Sequence, residues 1–564
     1  MLTRRQMIHG ALATGATSLG GCATFVSPIT AFCPDDPRIS DPNSLLTIDT
    51  HCHVFNGTDI PVERYITLVQ GLTTPILKYL GEILQEVSWE TAPTGAQEIS
   101  VLRQINQLLS AGCRPGEFEN VHVAHRNGQH RAGVIALNQA LSNLESSRRP
   151  ALRSTYGGNA VANAIRSLPT SYPAYRHWLS RRSLYNAGIN STIDAAVAFV
   201  VRQFQYRYVS VFDFLTQYAS GSPRKIDLAV SHFLDFDWPL ALGRRTLTSI
   251  ADQIDVMEQI SILTGGRVHS YVPFDPMKQV AFDLGYPTES PMLLVQKAIT
   301  SQGFVGVKIY PPIGFAPACN ASIALKSPGF WHRQWLPLEL QRPDLGWRLD
   351  CALLQLYSWC IANAVPIMAH TSASEGPAKD FEALTAARYW RHVPSGLRVD
   401  FGHFGNTEIS PVDKDLARAR KYSALMGPQG AHGAHFYADA AYFTRAMTEP
   451  DSITEALQKL FLETPILKQR LMYGSDWEML LIAGNDNASY LRNFEQIFSN
   501  LDKNVSSLAQ DDLANRFFGV NAADYLSLRS GGATRSRLDA FYAQRGVRKP
   551  QWAQKVDKLP ALMV

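Results

Sequence analysis

The chain has 564 residues, of which 46% are hydrophobic and only 18% are charged. That composition excludes a disordered chain and leaves ample material for a large core. The formal net charge of +4 is spread along the length with no long basic run, which speaks against a nucleic-acid partner, and no stretch of about 18 uninterrupted apolar residues is present to span a membrane.

The N-terminus carries Arg4-Arg5, then a weakly apolar run ending Leu19-Gly20-Gly21-Cys22. A positive head, a short apolar stretch and small residues at its end describe a signal peptide. The arginine pair resembles a twin-arginine signal, with Met7 where Phe is usual. Leu19-Gly20-Gly21-Cys22 resembles a lipobox, its middle glycine being a departure. Residues 1–22 are therefore expected to direct export, and lipid on Cys22 would anchor the protein to a membrane without threading it through. Residues 23–44, with Pro28, Pro34, Pro37 and Pro42, are expected to form a tether. The seven cysteines show neither Cys-x-x-Cys nor zinc-finger spacing, so buried thiols are expected.

The short apolar run Leu45–Asp49 predicts a buried strand leading into Thr50-His51-Cys52-His53. Residues 60–228 then read as mostly helical. Ile193, Val197, Val200, Phe204, Tyr208, Val211 and Leu215 recur at steps of three and four, which places them on one helix face. The stretch 112–131, with Gly112, Pro115, Gly116 and Gly128, reads as a loop bearing solvated His122, His125 and His130.

Beyond 228 short apolar runs alternate with helical segments. The runs are 233–237, 268–275, 305–310, 365–370, 397–403, 436–439 and 471–476, and most end in a polar residue able to do chemistry. Their ends lie about 33–38 residues apart, with one interval of about 62, and a βα unit takes roughly 30 or more. With the strand before His51 this makes eight. The pattern predicts an α/β protein, a (β/α)8 TIM barrel over 45–59 and 229–530. Residues 60–228 form a large helical cap inserted after strand 1, and 531–564 a C-terminal tail. An open doubly wound sheet would need a glycine-rich turn after an early strand, and none is present.

His51 and His53 stand two apart at a strand end, so their side chains share a face and can take one metal together. The pair alone is a weak signal, but His370, His403 and Asp476 fall at other strand ends, where this barrel carries its functional residues. Asp237 and Asp275, next to prolines or Trp-Pro, are expected to cap turns. Glu375 is either near the mouth or a solvated charge. His432 and His435 are expected at the opposite end of the barrel, and Trp477 in packing.

Taken together, Ile48-Asp49-Thr50-His51-Cys52-His53, Gly306-Val307-Lys308-Ile309-Tyr310-Pro311, Ala369-His370-Thr371, Asp400-Phe401-Gly402-His403, Tyr473-Gly474-Ser475-Asp476-Trp477 and the closing Leu513–Gly519 stretch resemble the amidohydrolase superfamily, within it the amidohydrolase-related branch. The resemblance covers roughly 45–60 and 229–525, with the cap outside it. It implies that His51, His53 and Asp476 bind a divalent metal, expected to be zinc, as one or two ions. His370 would join the first ion in one-metal members and the second in two-metal members. His403 would be a second-metal ligand or a proton donor and orienter. Asp476 would take a proton from water and pass it to the leaving group. Lys308 matches a lysine that carries a bridging carbamate in two-metal members; the reading favoured here is a plain amine near the substrate, with a structural ion pair as a third possibility. The implied activity is that of an exported metal-dependent hydrolase cleaving an ester, lactone or amide of a small-molecule substrate. A non-oxidative decarboxylase or hydratase on the same metal cup, and a surface lipoprotein that binds a ligand without turnover, are the alternatives.

Overall fold

The computed structural model describes residues 41–64, 75–110, 115–146, 162–181, 197–218, 222–238, 246–372, 376–427, 433–480, 488–504 and 512–560. The expected export signal, most of the tether, Glu375 and His432 lie outside them.

Eight strands form one sheet in chain order: β1 Ile48–His53, β2 Leu228–His232, β3 Val268–Pro273, β4 Gly306–Ile309, β5 Ile367–His370, β6 Arg398–Gly402, β7 His435–Asp439 and β8 Leu471–Met472. All seven neighbouring pairs are parallel. The segment after β8 returns to β1 through Thr50 N to Tyr473 O (3.0 Å) and Asp476 N to His51 O (2.7 Å), which brings the two ends of the sheet together. This is the (β/α)8 barrel that the strand spacing predicts. Two of the crossover helices show sequence-encoded caps. Ser249 accepts from Asp252 N ahead of Ile250–Leu263, and Ser290 from Leu293 N ahead of Pro291–Ser301 with proline in the first turn.

Side chains alternate along the strands. Val307, Ile309, Ile367, Ala369, Val399, Phe401, Phe436 and Ala438 face the helices and join the main core. Ile48, Val230, Tyr271, Met368, Tyr437 and Met472 belong to a second cluster with residues of the C-terminal helices. Hence residues 531–564, expected as a tail, supply two packed helices instead, Ala533–Arg545 and Gln551–Asp557. Trp552 Nε1 donates to Gly266 O (2.8 Å), just before β3, and Lys555 Nζ bonds Asp227 Oδ1 (2.8 Å), just before β2. They close the N-terminal end of the barrel.

Several local expectations shift. The second strand is 228–232, not 233–237, because 228–232 and 233–237 are two adjoining apolar runs, each with a polar end, and hydrogen bonding to β1 and β3 selects the first. Asp237 therefore lies beyond the strand, accepting from Thr246 N and Oγ1 (both 2.8 Å), and Asp275 caps the helix Pro276–Asp283 through Met277 N (2.8 Å). From residue 115 the expected 112–131 loop is helix instead: Pro115–Ser146 is one helix, with proline in its first turn, and 112–114 lie outside the described residues. His122 and His130 are buried in it, His122 against Phe212 and His130 against Tyr172 and Tyr175. The face 193–215 does bury Val197, Val200, Phe204, Tyr208, Val211 and Leu215, but the helix breaks at 203–206 before resuming as Arg207–Asp213. Ile193 lies outside the described residues.

The cap has its own cluster, including Val134, Leu137, Val200 and Phe204, joined by Phe55, Leu234 and Phe236 from segments after β1 and β2. It therefore sits over the C-terminal ends of at least these strands. Two glycines of the long cap helix offer a matched test. Gly128 is exposed and an added Cβ would meet nothing within 4 Å, whereas a Cβ at Gly133 would collide with the Phe204 ring. Gly128→Ala should stabilise by about 0.5–1 kcal/mol through helix propensity. Gly133→Ala should destabilise by roughly 1–3 kcal/mol through overpacking. Denaturant melts of the two variants check this; equal effects would mean Phe204 does not seat on the helix.

Candidate metal centre

The site begins with an irregularity in β1. Ile48 and Asp49 pair with Leu228 and Ala229, while Cys52 and His53 pair with Ser231 and His232, so two residues of β1 oppose one of β2. Such a bulge changes the parity of the strand. Ile48 packs in the inner cluster and Cys52 in the outer one, which leaves His51 and His53 facing inward together. Gly402 and Gly474 make the room: a Cβ on Gly474 would stand 2.8 Å from His51 Cβ, and one on Gly402 3.2 Å from His51 Cε1.

The neighbours of each ring decide where its proton sits. His51 Nδ1 lies 2.8 Å from Asp439 Oδ2, and His53 Nδ1 3.0 Å from the carbonyl oxygen of His232. Both partners are acceptors, so both imidazoles carry the proton on Nδ1 and present a lone pair at Nε2. Asp476 Oδ1 lies 3.1 Å from His53 Nε2 and 3.5 Å from His51 Nε2. Three acceptors thus converge, buried, with their ligand atoms within 4.8 Å of one another. His51 Nε2 and Asp476 Oδ1 have no hydrogen-bond partner. Protonating His51 would relieve the conflict, but burial first, then Lys308 and the neighbouring histidines, hold its pKa well below the ordinary value. Three convergent acceptors, two of them on imidazoles whose ring protons sit on Nδ1, fit a divalent cation, and two imidazoles with one carboxylate are a set that zinc favours.

Comparisons with known proteins add little to this geometry. No family model and no curated protein matches the chain. Two solved structures resemble it distantly. One is a probable 2-pyrone-4,6-dicarboxylic acid hydrolase from Acinetobacter baumannii with citric acid bound, 13% identical over 53% of this chain and 83% of its own, with a TM-score of 0.29. The other is an uncharacterized TIM-barrel protein from Bordetella bronchiseptica, 13% identical over 60% and 92%, with a TM-score of 0.30. The eight-strand order, and not these likenesses, establishes the fold.

Around the three acceptors stands a ring of further strand-end groups. His403 Nδ1 donates to Ala441 O (3.0 Å), so its Nε2 accepts from His370 Nδ1 at 3.1 Å. His370 Nε2 is then a buried lone pair without a partner. His370, expected among the ligands, is not a member of the compact His51–His53–Asp476 group; it stands beside it through His403. Burial, foremost, lowers the pKa of both rings. His403 and Asp476 each adopt a left-handed backbone, with φ 62 and 58. For residues other than glycine this is a strained conformation, and here it turns a side chain at a strand end.

Lys308 is buried inside the barrel, and its Nζ donates to Met368 Sδ (2.8 Å). Burial lowers its pKa to about 8, against the pull of Asp439, Asp476 and Asp400. Two site residues escaped the sequence reading. Asp439 ends β7 and bonds His51; it appeared only as the end of an apolar run. His232 ends β2, its ring stacked on His51 at 4.5 Å and its Nε2 2.9 Å from Thr50 O. The signal for His232 was present, since Leu228-Ala229-Val230-Ser231-His232 is itself an apolar run with a polar end, but the strand was placed five residues too late. Trp477 packs on Phe214 at 4.7 Å, and His435 is exposed at the start of β7, remote from the strand ends that hold the site.

Proposed function

We propose that this chain is a metal-dependent hydrolase acting on a small-molecule ester, lactone or amide, with one divalent ion, zinc by preference, held by His51, His53 and Asp476. The observation that carries the reading is the convergence of His51 Nε2, His53 Nε2 and Asp476 Oδ1, with the Nδ1 atoms of both imidazoles turned to acceptors. Such an ion, when bound, supplies Lewis acidity and acidifies water, so that a nucleophile is available at neutral pH.

The protein's own groups do the rest. Asp476 would hold the ion through one carboxylate oxygen and leave the other as a proton acceptor. His403 holds the His370 proton at Nε2, which fixes His370 with Nε2 open as a second acceptor at the strand ends. Phe55 stacks on His53 at 5.0 Å and the Tyr310 ring lies 4.6 Å from His370, so apolar surface borders the polar cup. Both residues also pack with the cap cluster, which makes the cap the element that would shape substrate choice.

The test is metal content followed by turnover. Protein purified without chelator should hold about one zinc per chain, and hydrolyse members of an ester, lactone and amide panel. Replacing His51 and His53 by alanine together should empty the site. Full occupancy in that variant, or no uptake of metal by the unaltered protein, would overturn the assignment.

Export belongs to the same proposal. No helix among the described residues is long and apolar enough to cross a membrane, and the address is assigned to Arg4-Arg5 and Cys22. Replacing both arginines by lysine should stop passage by a twin-arginine route while leaving a general secretory route working. Undiminished export of the Lys-Lys variant would refute that route.

A further inference from the structure

Asp439 accepts three N–H groups within the site. Its Oδ2 accepts from His51 Nδ1 (2.8 Å), and its Oδ1 accepts from the backbone N–H groups of His403 (2.8 Å) and Ala441 (3.0 Å). Ala441 in turn accepts at its carbonyl from His403 Nδ1 (3.0 Å). One carboxylate at the end of β7 thus grips a β1 histidine by its ring and the β6 histidine by its backbone.

His51, His403 and Asp439 also form a buried group compact enough for a metal ion. The bonds within it argue otherwise. A neutral imidazole has one lone pair, and that of His51 faces His53 and Asp476. The lone pair of His403, at Nε2, is taken by His370 Nδ1. Three N–H donors already fill most of the acceptor capacity of Asp439.

We propose that Asp439 is a positioning residue that fixes the proton of His51 on Nδ1 and the backbone of His403, and that the His51–His403–Asp439 group is not a second ion seat, so the chain takes a single ion. The inference rests on the metal reading above and deepens it. A carboxylate behind a ligating histidine fixes its tautomer and orientation, and losing such a partner typically costs 10–100-fold in metal affinity.

Asp439→Asn discriminates sharply. The position of Oδ1 faces two N–H groups, so the amide oxygen must stay there. The amide NH2 then faces His51 Nδ1, which must shift its proton to Nε2 to accept, closing the lone pair that the ion needs. Metal-free protein titrated with Zn2+ should bind one ion per chain, and Asp439→Asn one ion about 10–100-fold more weakly. With Co2+ as probe, the visible spectrum of Asp439→Asn should move toward that of His51→Ala, a change that a purely structural role would not produce. His403→Ala leaves the Asp439–His51 bond in place and should keep the one-ion stoichiometry and near-native affinity; it covers the case in which Asp439→Asn fails to fold. Two ions in the unaltered protein, falling to one in either variant, would overturn the proposal, as would native affinity and spectrum in Asp439→Asn. If the unaltered protein binds no ion, the metal reading itself falls and takes this inference with it; native binding in Asp439→Asn removes the inference alone.

Discussion

Asp476→Asn should lower turnover by about 10²-fold or more at saturating metal while leaving the fold intact. The fold should survive because the backbone of this residue, not its side chain, ties the barrel shut: Asp476 N donates to His51 O at 2.7 Å, a bond that asparagine keeps. Asparagine also accepts the left-handed backbone at this position more readily than most residues. The chemistry should not survive. The amide removes the one negative charge facing His51 Nε2 and His53 Nε2, and with it a proton acceptor beside the reacting water. An amide NH2 turned toward His53 would also occupy the lone pair meant for the ion. Turnover measured across a zinc titration separates the two losses: a weaker site is rescued by added zinc, a missing proton acceptor is not. An asparagine variant within a few-fold of native turnover at saturating zinc would remove Asp476 from the catalytic role.

The second large effect concerns stability. Arg207 is buried in the cap between two acids that are also buried. Its Nη1 donates to Glu98 Oε2 (2.7 Å) and its Nε to Asp59 Oδ2 (3.1 Å), with a further close bond from Nη2 to Asp59 Oδ1. Asp59 lies after β1 and Glu98 on the cap helix Gly95–Ser110, so one guanidinium joins barrel and cap. Burial pushes Glu98 up to about 7 and also raises Asp59, while Arg207 pulls both back. Arg207→Leu strands two buried carboxyls, and breaking a buried pair in this way costs roughly 3–5 kcal/mol. The pH dependence has a definite sign. Without the arginine both folded-state pKa values rise further above their unfolded values, so the folded form binds more protons and stability falls as pH rises through that window. Denaturant unfolding of Arg207→Leu should show a larger deficit at pH 8 than at pH 5. A deficit under about 1 kcal/mol, or one that does not depend on pH, would mean that the cap is held by its apolar cluster alone.

Much of this was legible because the relevant patterns are local. Parallel strands buried on both faces read as short apolar runs, helices show their caps and period, and the spacing of the runs counts the βα units. His51 and His53 stood out because two residues on a strand share a face whatever the rest of the chain does. Which face they share was not legible: the bulge in β1 turns them inward, and a bulge is a matter of pairing with β2, some 180 residues away in sequence. Gly128 and three histidines disguise the long cap helix; burial of His122 against Phe212 and of His130 against Tyr172 and Tyr175 turns two of those polar rings into packing.

The remaining features share one physical cause. Arg207 meets Asp59 and Glu98 across 148 and 109 residues, Asp439 meets His51 across 388, and Trp552 reaches Gly266 across 286. A hydrogen bond between side chains carries no periodicity and leaves no mark on the residues around it, so an aspartate bonded to a histidine ring looks like any other aspartate that ends a strand. The chain's short-range order was enough for the eight strands and for the histidine pair on the first of them. The inward turn of that pair, the carboxylate bonded to it and the cation that joins cap to barrel came only when distant segments packed together and buried their polar groups against one another.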